Sequence, residues 1–422
     1  MPPDLKSRRH RLANALPLGD AILVVGSGQP VPLPENSDQT YPFFSHAEYA
    51  YLTDDDCIDG VIAYDPRDDE WLSFVPTVTE GERVWAGTTQ RSGLPFAEFS
   101  PWLAARSGRP IANLGALRPD IPVDVPLISN IRNGFRHARR PKDAEEITVL
   151  RAAATATAAG YAAIPALLRP GITERALQIE LETGFFRAGA TRTGYNTIVG
   201  TGPNSAILHF SPTARAAQTG EFVLIDAGAA IGRYTADVTR TYVVGAPSPF
   251  QRDLYQVVLA AEERAIARCI PGAEWTDIHL ACAVDLVAGL VAMNVMRGHP
   301  ESLVEAEAHT LFFPHGLGHM VGLGVRDASG LLPGRIKNPR PCLRTLRMDL
   351  PLAPGYVVTI EPGLYFIPPL LQDPARREKY RDVVNWSLVD QHLHLGGVRI
   401  EDNIHVTADG PENLTAAIPK TL

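Results

Sequence analysis

The sequence predicts two domains of the mixed α/β (α+β) class. The chain has 422 residues, of which 45% are hydrophobic and 20% charged, and this length exceeds the size at which one core usually stops growing. Short apolar strands mix with helical segments in the first third, whereas Ala-rich helical segments and strands follow Pro141. We therefore expect a smaller α/β domain at residues 1–137 and a larger domain at residues 138–422.

The first domain is predicted to carry structure and no chemistry. Residues 21–25, 60–64 and 70–75 have the apolar character of strands, and residues 96–105 that of a helix. No set of ligand residues is clustered here. The basic stretch at residues 136–142 is followed at once by acids, so we interpret it as a solvated linker.

Three helices are predicted to cover a sheet in the second domain. The first spans residues 143–168, with Asp143 as its N-cap and acids in its first turn. The second begins at Thr173 and ends near Arg187. The third covers residues 249–268.

Two of the strands between these helices carry aspartates. Residues 221–226 alternate so that Asp226 ends an apolar strand, and a turn at 229–232 leads into a second strand, 235–244, which bears Asp237. A hairpin would bring the two aspartates side by side.

Three further donors have similar settings. Glu361 finishes the strand at 357–361, and Glu401 finishes 397–401, where alternation places it on the same face as Arg399. The glycines between His315 and His319 argue against a helix, despite the four-residue spacing. Acids that end several apolar strands imply a common pocket at the strand ends.

Each acid has an ordinary explanation when taken alone. Asp226 could cap a turn, Asp237 could pair with Arg240, and Glu401 could pair with Arg399. The set is different, because buried carboxylates are costly unless they are paired or bound to metal. Four carboxylates and one imidazole suit a pair of hard divalent cations.

The predicted chemistry is therefore hydrolysis. Two metal ions would activate a water at neutral pH and polarise the scissile carbonyl. His209 and His315 are candidate donors to the developing oxyanion or to the leaving nitrogen.

Five motifs in order, IDAG, YTADVTRTY, PHGLGH, TIEPG and GGVRIED, resemble those of the pita-bread metallopeptidases. That group includes methionine aminopeptidase, aminopeptidase P, prolidase and the metal-free creatinase. The resemblance covers residue 138 to the end. It implies a C-terminal pita-bread fold, a smaller α/β creatinase/prolidase-like N-terminal domain, which the amino-terminal part resembles loosely, and a homodimer.

The resemblance also implies metal-binding roles. Asp226 would chelate one metal ion, Asp237 and Glu401 would bridge, and His319 with Glu361 would complete the second ion. Glu361 would act in addition as general base and acid. The implied cofactors are two divalent ions, Mn²⁺ first, with Co²⁺ or Zn²⁺ able to occupy the same geometry.

The part from residue 343 onward is most similar to prolidases. Arg347 matches an arginine that binds the free carboxylate of the dipeptide's proline there. Arg326 stands where prolidase and aminopeptidase P usually carry a histidine, and it stays protonated at any working pH, so we expect altered specificity or rate. The alternative explanation for Arg326 is an ion pair with its neighbour Asp327. With Arg399, these arginines form the predicted substrate-binding set.

The leading prediction is an Xaa-Pro dipeptidase that uses two metal ions to activate the attacking water. The alternative is aminopeptidase P, which acts on longer peptides with proline at the second position. A catalytically degenerate binding protein and a creatinase-like, metal-free amidinohydrolase are both disfavoured, because all five ligand residues are present.

Composition and residue patterns limit the partners and the cellular location that we expect for the protein. A net charge of −8 argues against nucleic acid as a partner. No stretch approaches the ~20 consecutive apolar residues of a membrane helix, and no signal-peptide core follows the amino-terminal basic residues. The four widely spaced cysteines are expected as reduced, buried thiols. We therefore expect a soluble cytoplasmic protein.

Overall fold

The computed structural model of the protein describes residues 4–35 and 39–422. The chain divides into two compact units, Met1–Arg139 and Arg140–Leu422. Each unit combines helices with sheets, in agreement with the mixed class predicted from the sequence.

The first unit has a five-stranded sheet in the order β4-β3-β2-β1-β5. Strand β1 pairs antiparallel with β2 and parallel with β5. The predicted strands and the predicted helix at 96–105 are present, with small shifts at their ends. The elements are β1 (Ile22–Gly26), β2 (Val61–Asp65), β3 (Glu70–Val75), β4 (Leu94–Pro95) and β5 (Ile111–Gly115), with α1 (Leu5–Ala15), α2 (Ala47–Thr53), α3 (Glu80–Trp85), α4 (Phe99–Ala104) and α5 (Val125–Arg139).

The basic stretch at 136–142 is not the solvated linker that the sequence predicts. Helix α5 extends to Arg139 within this stretch, and the side chains of Arg139, Arg140 and Lys142 are buried. Arg140 donates from Nε to the carbonyl oxygen of Ala328 at 3.0 Å. Lys142 Nζ lies 3.0 Å from Oδ2 of Asp327, with both side chains buried. These partners stand almost two hundred positions away, so local composition could not indicate them.

The second unit contains two pairs of long packed helices, α6 with α8 and α9 with α10. As predicted, Asp143 caps α6, and Glu146 completes a capping box. The predicted helix at 143–168 is interrupted, because in a continuous helix the ring of Pro165 would clash with the carbonyl group of Tyr161. The helices are α6 (Ala144–Tyr161), α7 (Ile164–Leu167), α8 (Glu174–Arg187), α9 (Pro249–Ala267), α10 (Trp275–Ala292), α11 (Pro300–Glu305), α12 (Pro368–Leu371), α13 (Pro374–Lys379) and α14 (Trp386–Gln391).

Short sheets lie between these helices, in the orders β11-β8-β7, β14-β17-β18, β10-β9-β6, β15-β16 and β12-β13. Their strands are β6 (Arg192–Thr193), β7 (Ile198–Thr201), β8 (Phe222–Asp226), β9 (Ala229–Ile231), β10 (Tyr234–Thr235), β11 (Thr239–Val243), β12 (Gly330–Leu331), β13 (Met348–Asp349), β14 (Val357–Ile360), β15 (Gly363–Tyr365), β16 (Gly397–Arg399), β17 (Asp402–Thr407) and β18 (Gly410–Asn413).

The predicted pairing of the two aspartate-bearing segments is present in modified form. Strands β8 and β11 pair antiparallel, with Asp226 opposite Thr239. The chain between them forms a smaller hairpin, β9–β10, and Asp237 lies in the connection between β10 and β11. A Cβ on Gly228 would lie 1.8 Å from the carbonyl oxygen of Ala236, so only glycine permits this close crossing. The predicted strand 235–244 is therefore split at Asp237.

Two helical segments, Ala144–Leu167 and Trp275–Ala292, are long and apolar enough to cross a membrane by length and composition alone. This differs from the expectation that no such segment exists. About half of each segment is buried inside the protein (50% and 44%), and core helices of soluble proteins share this length and composition, so these features alone do not assign either segment to a membrane.

The cysteines are buried and unpaired, as the sequence predicts. Cys269, Cys282 and Cys342 pack in the apolar core beside α9 and α10, and burial raises the pKa of the Cys269 thiol to about 12. They act as small apolar side chains.

Candidate metal centre

One cavity of about 530 Å³ in the second unit brings together every side chain that the sequence predicts for the site. Strand ends and their adjoining loops supply most of them, as expected from the positions of the acids. The predicted residues that line it are the ligand candidates Asp226, Asp237, His319, Glu361 and Glu401, the histidines His209 and His315, and the arginines Arg326, Arg347 and Arg399. Their individual roles stay predictions.

Three of the candidate ligands are already close enough to share one cation. Ligand atoms of Asp237, His319 and Glu401, all buried, lie within 4.8 Å of one another. His319 Nε2 is 3.4 Å from Asp237 Oδ2 and 3.9 Å from Glu361 Oε1. Nδ1 of His319 is 2.9 Å from the carbonyl oxygen of Met320 and donates to it, which leaves the Nε2 lone pair facing the carboxylates.

The electrostatics of the cluster fit a bound cation. Burial raises the pKa of Glu401 well above its usual range, and the neighbouring Asp237 and Glu361 charges raise it further. Burial likewise raises the pKa of Glu361 to about 7 and raises that of Asp226. Buried acids that repel one another are stabilised by a divalent ion, and oxygen donors with one imidazole suit such ions.

Asp226 is held by two donors and does not cap a turn. The Tyr195 hydroxyl donates to Oδ1 at 2.6 Å, and Arg399 Nη2 donates to Oδ2 at 2.6 Å. Both carboxylate oxygens are therefore oriented before any ion binds.

Arg399 connects several members of the site. It is 3% exposed, and it donates from Nη1 to the Tyr365 hydroxyl at 2.9 Å and from Nε to Thr239 Oγ1 at 3.0 Å. The Thr239 hydroxyl in turn donates to Glu401 Oε2 at 2.7 Å. Arg399 pairs with Asp226 and not with Glu401. These contacts make Arg399 an orienting residue, and its contact with substrate stays a prediction.

The backbone of Asp237 is fixed by Asn403. The Asp237 N–H donates to Asn403 Oδ1 at 2.9 Å, and Asn403 Nδ2 donates to the Asp237 carbonyl at 2.6 Å. Arg240, the ordinary partner considered for Asp237, donates instead to Asp402 Oδ1 at 2.7 Å. The Asp237 carboxylate is thus left for the cluster.

His319 is presented by an extended segment beside β14, so the sequence correctly excluded a helical histidine pair. Its carbonyl accepts from the Thr359 N–H at 2.8 Å, and its N–H donates to Thr359 Oγ1 at 3.1 Å. A Cβ on Gly318 would lie 2.1 Å from the Thr359 carbonyl oxygen, which explains the glycine before the ligand.

The two catalytic histidine candidates differ in availability. His315 is partly buried, its Nδ1 lies 2.9 Å from the Gly316 carbonyl, and its Nε2 lies 2.9 Å from the Tyr365 hydroxyl. Burial lowers the pKa of His315 to about 3, so the ring is neutral, donates from Nδ1 and accepts at Nε2. His209 is exposed and has no hydrogen-bond partner among residues 4–35 and 39–422. His209 is therefore the freer donor.

Arg326 does not pair with Asp327, the ordinary explanation considered for it. Asp327 pairs with Lys142 and accepts from the N–H groups of Leu323 at 3.1 Å and Ala328 at 2.8 Å. Arg326 and Arg347 are both exposed on the cavity wall, and within the described part of the chain neither forms an ion pair.

Four residues that support the site were missed from the sequence: Tyr195, Thr239, Tyr365 and Asn403. Thr239 lies inside the motif YTADVTRTY, so it could have been suspected, whereas Tyr365 lies outside the five motifs. Tyr195 and Asn403 carry no comparable signal, because their role depends on the distant aspartates that they contact.

Comparison with known proteins agrees with this geometry. Residues 148–408 match the model of metallopeptidase family M24. The chain is 31% identical over 446 aligned positions to "Probable Xaa-Pro aminopeptidase Pc16g13390" of Penicillium rubens, covering 97% of this chain and 88% of that protein. It is 28% identical to "Probable Xaa-Pro aminopeptidase pepP" of Botryotinia fuckeliana, with 91% and 87% covered.

Solved structures show the same similarity. Aminopeptidase P from E. coli, with the inhibitor Pro-Leu, superposes with a TM-score of 0.80 at 26% identity and covers 99% of this chain and 95% of that one. The Pseudomonas aeruginosa aminopeptidase PepP gives a TM-score of 0.78 at 28% identity, with the same shares covered. The predicted pita-bread fold, separate amino-terminal domain and enzyme class are confirmed, and a divalent metal cofactor follows from the family. The chain belongs to metallopeptidase family M24.

Proposed function

We propose that this metallopeptidase is an Xaa-Pro aminopeptidase, which removes the first residue from peptides with proline at the second position. The similar proteins carry this name, and they favour the alternative considered from the sequence over the leading dipeptidase prediction. The bond is an imide without an N–H, so the leaving proline nitrogen must be protonated.

The observation that carries the proposal is the convergence of four carboxylates and one imidazole on one cavity. Asp226, Asp237, His319, Glu361 and Glu401 would hold two divalent ions there. When bound, such ions supply an activated water and polarise the scissile carbonyl. Mn²⁺ is the first ion to test, with Co²⁺ and Zn²⁺ as alternatives.

The remaining steps fall to side chains of the cavity. Glu361 would take a proton from the attacking water and return it to the proline nitrogen. His209, exposed to the cavity, would donate to the developing oxyanion. His315 would orient Tyr365, because both of its ring nitrogens are engaged. The expected homodimer and cytoplasmic location stay predictions.

The test compares three peptides with the Mn²⁺-loaded protein: an Xaa-Pro-Xaa tripeptide, an Xaa-Pro dipeptide, and a tripeptide with alanine in place of proline. We expect the highest kcat/KM for the first, and Glu361→Gln as an inactive control. Preferred cleavage of the dipeptide would restore the dipeptidase prediction. No cleavage with Mn²⁺, Co²⁺ or Zn²⁺ would reject both.

A further inference from the structure

Arg326 lies on a loop that hydrogen bonds hold in place. The Gly324 N–H donates to the Arg233 carbonyl at 2.9 Å, and the Asp327 N–H donates to the Met320 carbonyl at 3.0 Å. Asp327 also accepts from backbone groups within the loop and pairs with the buried Lys142. Asp327, the acid next to Arg326 in sequence, is thereby engaged by other partners. The backbone that carries Arg326 at the cavity wall is held in place by these hydrogen bonds.

The cavity has cationic charge without an anionic partner. Of its three arginines, Arg399 is engaged by Asp226, whereas Arg326 and Arg347 are exposed and form no ion pair with any described residue. The four lining carboxylates belong to the candidate metal cluster, and bound divalent ions would compensate them. Two guanidinium groups would then face the substrate.

The charge of a peptide decides which of its ends these groups can receive. Its amino-terminal ammonium is repelled by arginine, whereas a carboxylate beyond the scissile bond is attracted and can accept two parallel N–H bonds. We propose that Arg326 is a specificity residue that binds a carboxylate on the portion of the substrate after the scissile bond. The inference rests on the proposed peptidase function and names its substrate class.

Two sources of that carboxylate are possible, the free carboxyl terminus of a short peptide and an acidic side chain. Four peptides separate them: an Xaa-Pro-Gln tripeptide as free acid and as amide, and an Xaa-Pro-Glu tripeptide in the same two forms. If KM is lower for both free acids than for their amides, the carboxylate that Arg326 binds is the free carboxyl terminus. A lower KM for the glutamate amide than for the glutamine amide indicates the side chain.

Arg326→Gln is the decisive variant, because the residue is exposed and its loss leaves no buried charge. We expect KM for the preferred anionic peptide to rise about three- to tenfold relative to KM for its neutral amide. Arg326→Lys should restore part of the affinity, since it keeps the charge but not the planar fork. The advantage of the anionic peptide should also shrink at higher salt.

Arg344→Gln is the matched control, because Arg344 is exposed, close in sequence to Arg347, and absent from the cavity wall. It removes the same charge and should leave the ratio of anionic to neutral KM values unchanged. The inference is wrong if wild type shows no preference for an anionic peptide, or if Arg326→Gln and Arg344→Gln alter the ratio equally. If wild type cleaves no Xaa-Pro peptide at all, the proposed function itself has failed.

Discussion

The guanidinium of Arg399 donates to the carboxylate of Asp226 across 2.6 Å, and through Thr239 it is also tied to Glu401. One buried cation thus orients two candidate metal ligands that stand 175 positions apart in sequence (401 − 226). A carboxylate oriented in advance binds an ion with less loss of freedom, which is how outer partners of metal ligands act.

Arg399→Lys should therefore weaken metal binding or catalysis while keeping the positive charge at position 399. A single ammonium cannot reach Asp226, Thr239 and Tyr365 together, so we expect metal affinity or kcat to fall about 10- to 100-fold. Metal content after dialysis and steady-state kinetics measure the effect. Arg344→Lys serves as the exposed control, and an Arg399→Lys protein with wild-type metal content and kcat would contradict the orienting role.

Glu401→Gln should distinguish the effect of a clustered acid on stability without metal from its effect on stabilisation by bound metal. Without metal, the variant loses a carboxylate that burial and its acidic neighbours disfavour, so its melting temperature should equal or exceed that of metal-free wild type. Mn²⁺ at about a thousand times its Kd should stabilise wild type by about 4 kcal/mol. The variant should gain much less.

Thermal unfolding with chelator and with added Mn²⁺ makes this comparison, and the exposed Glu263→Gln is its control. An equal gain in wild type and Glu401→Gln would remove Glu401 from the proposed ligand set.

Lys142→Met should destabilise the second unit strongly. Lys142 and Asp327 form an ion pair of 3.0 Å with both side chains buried, so the substitution removes a buried positive charge that the Asp327 carboxylate contacts. We expect a loss of about 3–5 kcal/mol in the free energy of unfolding, measured by urea denaturation. The double variant Lys142→Met/Asp327→Asn should recover part of it, and Arg381→Met, which breaks an exposed pair, should have little effect. A small loss in Lys142→Met would show that the other partners of Asp327 are sufficient to stabilise its carboxylate.

Acid should unfold the protein partly through two buried histidines. Burial lowers the pKa of His279 to about 3 and that of His309 to about 4, from 6.5. None of their ring nitrogens has a hydrogen-bond partner in the described part of the chain. Because the folded pKa values are depressed, the stabilisation is complete above pH 6.5 and is lost as the pH falls towards 4.

His279→Leu tests this directly. Lowering the pH from 7 to 5 should cost the variant about 2 kcal/mol less than it costs wild type, since one neutral buried imidazole has been removed. His299→Gln is the control, because His299 is 75% exposed. Parallel pH profiles for wild type and His279→Leu would contradict the assignment.

The sequence by itself determined the mixed fold class, most helices and strands, and the donor residues of the site. It could do so because strand alternation, helix caps and glycine positions are local, and because carboxylates at the ends of apolar strands are chemically unusual. It also identified Arg326 as a departure from the related motifs.

Only the tertiary structure decided which groups meet. The pairing of Arg399 with Asp226, the hydroxyl of Tyr195 on the same carboxylate, the occupied nitrogens of His315 and the buried Lys142 all depend on contacts between distant segments. Periodicity indicates which face of a strand a side chain occupies, but the register of one sheet against another sets the partner across the cavity. For that reason the ligands were predictable from the sequence, and the residues that orient them were not.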